Sequence, residues 1–246
     1  MSVSIALPST QKCVRKERYM IPNLIVSLTG DPKTGKTHFA LTYPEPLVVY
    51  SFDLGLDRVL PNFVGKNITV KKFPIPLVDS RRPKPYALEI WNRFYEEYKE
   101  DVESGEYATV VVDTGTALAE LARHARTEEL GQQSLLPVQY GEVNARLSAV
   151  LTAPRISGIN LVATHHLKDV YVDDKATGEQ TLDGYKRTEG LVDIVFTTKR
   201  VVRGAGRDKK TVIELTIKDC GYDLSLCGQT LDNATYDDLI AMLGFE

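Results

Sequence analysis

Residues Gly30-Asp31-Pro32-Lys33-Thr34-Gly35-Lys36-Thr37 read GxxxxGKT, the spacing of a loop that cradles phosphate. Glycines at both ends let the backbone curl, so that successive N–H groups point inward at phosphate oxygens. The helix expected after the loop adds the partial positive charge of its N-terminus. Lys36 can reach the β- and γ-phosphates of a nucleoside triphosphate, and the Thr37 hydroxyl can ligate Mg2+. All eight residues are therefore candidate nucleotide contacts. The bland alternative is a chance glycine turn with an exposed lysine. The flanking sequence argues against it: an apolar, β-branched run precedes the loop and a helical run follows it.

Four further groups carry candidate chemistry. Asp113 ends the run Ala108-Thr109-Val110-Val111-Val112, where a carboxylate can hold a water of a Mg2+ shell or orient Thr37. Its structural alternative is the cap of the next helix. Asp53 ends another apolar run and is a candidate for polarising the attacking water, with Asp57 in reserve; a turn-forming role is the alternative. His165 and His166 close the strand Ile159–Thr164. Neighbouring side chains of a strand face opposite ways, so one at most can sense a γ-phosphate; His165 is the one carried forward as a candidate. Lys186 and Arg187 could reach a neighbouring subunit's γ-phosphate as a trans finger, or be ordinary surface charge. His38 and His124 have no supporting context, and no zinc spacing is present.

These residues need a scaffold that delivers strand ends to one place. Leu24–Thr29 reads as a buried strand, with a helix over Lys36–Tyr43 stopping before Pro44. Strands follow at Pro46–Asp53, Ile68–Phe73, Ala108–Thr114 and Ile159–Thr164. Helices are expected over Pro85–Glu103, with Leu88, Trp91, Tyr95, Tyr98 and Val102 on one face, and over Gly115–Leu130, Gly141–Pro154 and Thr235–Leu243. Pro74–Pro85 and Gly131–Gln139 read as loops, and Tyr171–Leu182 as a mobile hairpin or loop. Asp193–Val202 and Thr211–Lys218 flank Gly204-Ala205-Gly206, the pattern of an antiparallel hairpin. Alternating strands and helices predict an α/β, three-layer fold with a mostly parallel central sheet and a late antiparallel hairpin at its edge.

The 246 residues, 26% of them charged, suit one large domain, 22–246, preceded by an arm, 1–21. No apolar run approaches the ~20 residues of a membrane span, and Met1–Thr10 is too short and polar for a secretory signal. Three dispersed cysteines, Cys13, Cys220 and Cys227, suggest a reducing compartment, hence a cytoplasmic protein. The net charge of −3 excludes a polycation that coats duplex. Basic residues nevertheless bunch at Lys12–Arg18, at Lys71–Lys84, and at Lys199–Lys210, where only Asp208 opposes them.

The ordered set GDPKTGKT, SFDLGLD, VVVDT and LVATHH followed by a long polar loop resembles the RecA-like ATPase core. It is most similar to the phage-type branch of AAA-type ATPases that accompanies single-strand annealing and recombination. The resemblance spans residues 22–200. It implies ATP and Mg2+ as cofactors, single-stranded DNA as partner, assembly into a homo-oligomeric ring or filament with phage recombination or replication proteins nearby, and, if phage-encoded, the cytoplasm of a bacterial host. It also implies DNA-contacting loops at Gly131–Gln139 and Lys168–Lys186. The chain departs from the pattern in lacking the usual water-activating glutamate, for which Asp53 is the nearest acid, and in carrying Thr164-His165-His166 where a glutamine is usual. A small-molecule nucleotide kinase with Arg81, Arg82 and Lys84 as its lid, and an ATP-gated scaffold with negligible turnover, are the two rival readings.

Overall fold

The computed structural model describes residues 22–53, 55–74 and 86–245, apart from the side chain of Arg207. The expected arm 1–21, the loop over 75–85 and the kinase-lid candidates Arg81, Arg82 and Lys84 lie outside the described residues.

A nine-stranded sheet forms the middle layer, in the order β3-β2-β4-β5-β1-β7-β8-β9, with β6 paired to β5. Strands β1 (Ile25–Gly30), β2 (Leu47–Ser51), β3 (Ile68–Lys72), β4 (Thr109–Asp113), β5 (Asn160–Val172) and β7 (Ile194–Arg203) run parallel. Strands β6 (Lys175–Asp183), β8 (Lys210–Cys220) and β9 (Thr230–Asp232) are antiparallel to their neighbours. Every residue of β1, β2 and β4 is buried. Both faces of these strands are covered, so they are continuous apolar runs rather than alternating ones.

Helices α1 (Lys36–Ala40) and α6 (Tyr236–Leu243) cover one face; α2 (Ala87–Ser104), α3 (Gly115–Glu129) and α4 (Tyr140–Ser157) cover the other. On the first face Phe39, Leu239 and Ile240 pack with Val26, Leu28 and Phe196. On the second, Trp91, Phe94, Leu118 and Leu147 pack with Ile25, Val48 and Val110. Phe94 meets Tyr50, Phe52 and Phe73 at ring-centroid distances of 5.1–5.6 Å, so truncating it to Ala would cost about 3–5 kcal/mol. The buried stripe of α2 uses Ile90 and Phe94 with Trp91, Tyr98 and Val102. Tyr95, expected on that stripe, is exposed and stacks on Trp91 from outside. α1 is shorter than Lys36–Tyr43; Leu41–Tyr43 form turns that Lys66 caps by donating to the Leu41 and Tyr43 carbonyls. A one-turn α5 (Thr188–Leu191) leads into β7.

Two hairpins overrun the end of β1. β1 stops at Gly30, opposite Thr198, while β7 continues to Arg203 and returns as β8. On the other side Thr29 lies opposite His165, and β5 continues to Val172 and returns as β6. The late hairpin is as expected. The segment read as a hairpin or loop over Tyr171–Leu182 is a paired hairpin turning at Asp173-Asp174, both at positive φ. Among the described residues no helix is long and apolar enough to cross a membrane.

Candidate nucleotide-binding site

The glycine loop sits where β1 ends, between these two hairpins. Gly30 must be glycine: a Cβ there would lie 2.3 Å from Thr198 Oγ1 and 2.5 Å from the Thr198 carbonyl. Lys33 and Gly35 take left-handed backbone angles, φ 65° and 79°, which turn the intervening amides to one side as in an anion nest. Thr34 Oγ1 donates to the Asp31 carbonyl at 2.7 Å and lies 2.7 Å from Thr198 Oγ1. Thr198 Oγ1 in turn donates to the Thr29 carbonyl, and Arg200 donates to the Lys33 carbonyl at 2.8 Å. Asp31, Pro32 and Lys33 form the exposed crest of the loop.

Among the described residues, the N–H groups of Thr34, Gly35, Lys36 and Thr37 have no acceptor within the chain. These are the orphan donors of a helix start, aimed where an anion would lie. Lys36 is buried, and its Nζ donates to the carbonyls of Gly30 and Asp31, both at 2.7 Å. Burial lowers its pKa, opposed by the charges of Asp113, Asp31 and Asp53.

Asp113 supplies the second half of the site. It is 2% exposed. Thr37 Oγ1 donates to its two oxygens at 3.2 and 3.1 Å, and Thr164 Oγ1 donates at 2.5 Å. Burial pushes its carboxyl up to about 6; the Thr164 hydrogen bond pulls the other way, the charge of Asp53 pushes further, and the Thr37 bond and Lys36 pull back. The capping role goes to Thr114, whose side chain accepts from the Ala117 N–H, so the Asp113 carboxylate is free for the site. Ser51 stands in register with Asp113 on β2, fully buried, with no partner for its hydroxyl among the described residues. This donor set fits a nucleoside triphosphate with a hard divalent cation: free amides and one ammonium for the phosphates, and the oxygens of Thr37 and Asp113 for the cation.

The remaining candidates scatter. Asp53 is exposed beyond the end of β2, and its Oδ1 accepts from the Gly55 N–H at 2.9 Å. It is near enough to bias both Lys36 and Asp113, so its turn bond leaves it in the neighbourhood of the loop. Asp57 leaves the reserve: both its oxygens accept from Lys72 at 2.8 Å. His165 turns the other way from the expected sensor position. Its ring is buried on the α3 face, where Nδ1 and Ser27 Oγ share a 3.2 Å hydrogen bond and Nε2 would be 2.3 Å from a Cβ at Gly115. Strand alternation explains the correction: Thr164 points at Asp113, so His165 faces away and His166 shares the Thr164 side. His166 is partly buried, with Nδ1 unpartnered among the described residues. Lys186 and Arg187 are exposed between buried Tyr185 and Thr188; neither is part of the loop's own contacts. Gln132 and Gln133 are exposed as well.

Thr198 and Ser51 were not singled out from the sequence; Thr164 was named only as part of Thr164-His165-His166, and Arg200 only within a basic cluster. Thr164 had a usable signal, since it neighbours the two histidines in a strand. The third basic cluster is less basic than it reads: Glu214, almost fully buried, takes Lys199 at 2.7 Å and also Arg203, which binds Asp232 as well.

Sheet, loop and carboxylate together define a P-loop NTPase with a RecA-like α/β fold. Residues 23–218 match the family model described as AAA domain. The match covers most of the chain, which therefore belongs to that family of ATPase-type P-loop domains. No curated protein matches it.

Proposed function

We propose that the protein is an ATP-dependent single-stranded-DNA-binding protein of phage-type recombination or annealing, which binds and hydrolyses ATP with Mg2+. One observation carries the coupling of nucleotide to DNA. β5 carries Thr164, which donates to Asp113, and His166 two residues on, and the same strand runs on to Val172 in the β5–β6 hairpin. A change at the γ-phosphate end of the site is thus one strand away from the exposed hairpin tip.

In this reading the amides of residues 34–37 and Lys36 bind the phosphate tail. Thr37 and Asp113 hold the cation, which supplies charge neutralisation of the transferred phosphoryl group. Thr164 holds the Asp113 carboxylate in place, and Asp53 or the Ser51 hydroxyl orients water. His166 takes over the sensor role first given to His165. Tyr171, 63% exposed at the hairpin tip, offers a face for base stacking, with Gln132 and Gln133 as backbone contacts. Lys186 and Arg187 serve as the trans finger in a homo-oligomer. Family membership favours the ATPase over the nucleotide kinase.

The ATP-gated scaffold has a specific observation behind it. The β5–β6 hairpin carries Asp169, Asp173, Asp174, Glu179 and Asp183 against Lys168 and Lys175, a balance that repels phosphate and suits a protein partner. Phosphate release, measured with and without single-stranded DNA at low and moderate salt, separates the two. Stimulation by DNA supports the recombination reading. Tight ATP binding with no stimulation and negligible release supports the scaffold. Lys36→Ala should abolish nucleotide binding in calorimetry; undiminished binding would discredit the site itself.

A further inference from the structure

On the side of the molecule carrying α2 and α4, away from the nucleotide loop, lies a groove of about 230 Å³. Its floor is Val102, Ala149 and Ala153; Tyr95 and Ile156 form its apolar rims. Ile156 is 87% exposed, a large aliphatic side chain with almost no cover among the described residues. Lys99 is the one cation of the lining. The solvent side of α2 is otherwise strongly acidic, and Glu100 and Glu103 make no ion pair among the described residues.

The chain enters the fold beside this groove. Asn23 lies against Gly158, the C-cap of α4, where a Cβ would be 3.5 Å from Asn23 Nδ2. Ile156 and Ser157, which line the near end of the groove, immediately precede that cap. Directly upstream of Pro22 the sequence reads Arg15-Lys16-Glu17-Arg18-Tyr19-Met20-Ile21. Three large apolar residues adjoin the entry point, and three cations come just before them. The apolar triplet matches the groove and the cations match the acids of α2.

We propose that residues 15–21 dock in cis on the α2–α4 groove, with Tyr19-Met20-Ile21 against Ile156 and Ala153 and with Arg15, Lys16 and Arg18 facing Glu100 and Glu103. Tethering favours this occupant over a second copy: a segment joined to the groove's edge by one or two residues has an effective concentration of about millimolar or more. The inference is independent of the nucleotide chemistry proposed above.

Amide exchange of the full-length chain, followed by mass spectrometry of fragments covering residues 14–21, tests it. Exchange in the wild type should be at least about tenfold slower than for an unprotected chain. Ile156→Asp, at a position exposed enough to leave the fold intact, should restore fast exchange there while β1 amides stay protected. The charge-reversal pair Glu100→Lys and Glu103→Lys should do so in part, and keeps the test available if Ile156→Asp misfolds. Protection should persist on hundredfold dilution. Fast exchange in the wild type, protection indifferent to these substitutions, or protection lost on dilution, as docking on a second copy would give, each overturns the proposal.

Discussion

The two hairpins that flank the nucleotide loop leave the same end of the sheet and are built differently. The β7–β8 hairpin is tied to the loop at three places: Thr198 to Thr34, Arg200 to the Lys33 carbonyl, and Ile213 against Gly35 at 3.0–3.1 Å from a Cβ there. Two of its cations, Lys199 and Arg203, are paired with Glu214 and Asp232. Among the described residues, the β5–β6 hairpin is fixed at its root. There Thr116 Oγ1 donates to the Asp183 carbonyl and accepts from the His166 N–H, and His165 packs under Gly115. Beyond the root its residues are mostly exposed, and its ladder is interrupted between Asp169 and Tyr171. One hairpin shapes the nucleotide site; the other is held at its root by Thr116 and, beyond that root, presents an exposed surface.

The largest effect should come from breaking the tie at its tightest point. Gly30→Ala forces a Cβ into the Thr198 carbonyl, a backbone atom that cannot move alone. Overpacking of this kind costs about 3 kcal/mol. The loop can relieve it only by leaving β7, so nucleotide binding should be lost with it. A calorimetric titration and a denaturant melt read both; retained affinity would show that the brace does not shape the loop.

The root of the other hairpin should respond to acid. Burial pushes His165 from 6.5 down to about 3, so the unfolded chain binds its proton first. Its contribution to stability is full above pH 6.5 and is lost as pH falls toward 3, by about 5 kcal/mol at most. Asp113 works in the opposite sense. Its carboxyl is raised from 3.8 to about 6, so between pH 6 and 4 protonation returns about 3 kcal/mol. Taken from pH 6.5 to 3, these two groups should leave a net acid loss of about 2 kcal/mol. In His165→Gln that loss should vanish, and between pH 6 and 4 the melting midpoint should rise on acidification. A profile parallel to wild type would remove His165 from the account.

A smaller effect tests the brace by chemistry alone. Thr198→Val keeps shape and removes the hydroxyl that meets Thr34 and the Thr29 carbonyl. At about 1–1.5 kcal/mol, nucleotide affinity should fall about tenfold. Thr181→Val, on the exposed flank of the β5–β6 hairpin, should leave it unchanged. Equal losses in both variants would erase the distinction between the hairpins.

Legibility in the sequence followed distance along the chain. The phosphate loop was readable because its glycines, Lys36 and Thr37 lie within eight residues, between a strand and a helix. Asp113 was readable because a β-branched run ends on it. The choice between His165 and His166 was not, since it depends on the phase of β5, and that phase shows only in the contact of Thr164 with Asp113, 51 residues away. Thr198 is 164 residues from Thr34, so the brace is a product of β7 lying beside β1. The basic character of Lys199–Lys210 was overstated in part for the same reason: the register Lys199↔Glu214 brings a carboxylate to Lys199 and Arg203. The β5–β6 hairpin left hairpin and loop both open because neither of its faces is buried, and without a buried face no period-2 pattern is imposed.

The faintest signal in stability should be the sharpest in function. Tyr171 sits at the free hairpin's tip, next to exposed Val172 and the Asp173-Asp174 turn, with no hydrogen-bonded role for its side chain among the described residues. Tyr171→Ala should shift the melting midpoint by less than about 0.5 kcal/mol equivalent and leave ATP affinity unchanged. If the hairpin stacks on bases, the loss of one aromatic face should weaken single-stranded-DNA binding by about 1–3 kcal/mol and remove most of the DNA stimulation of phosphate release. Fluorescence anisotropy with a labelled oligothymidine, run beside the phosphate assay, reads both. Intact DNA binding in this variant, together with loss of binding on Arg200→Ala, would move the nucleic-acid contact to the braced hairpin and reverse the assignment of roles.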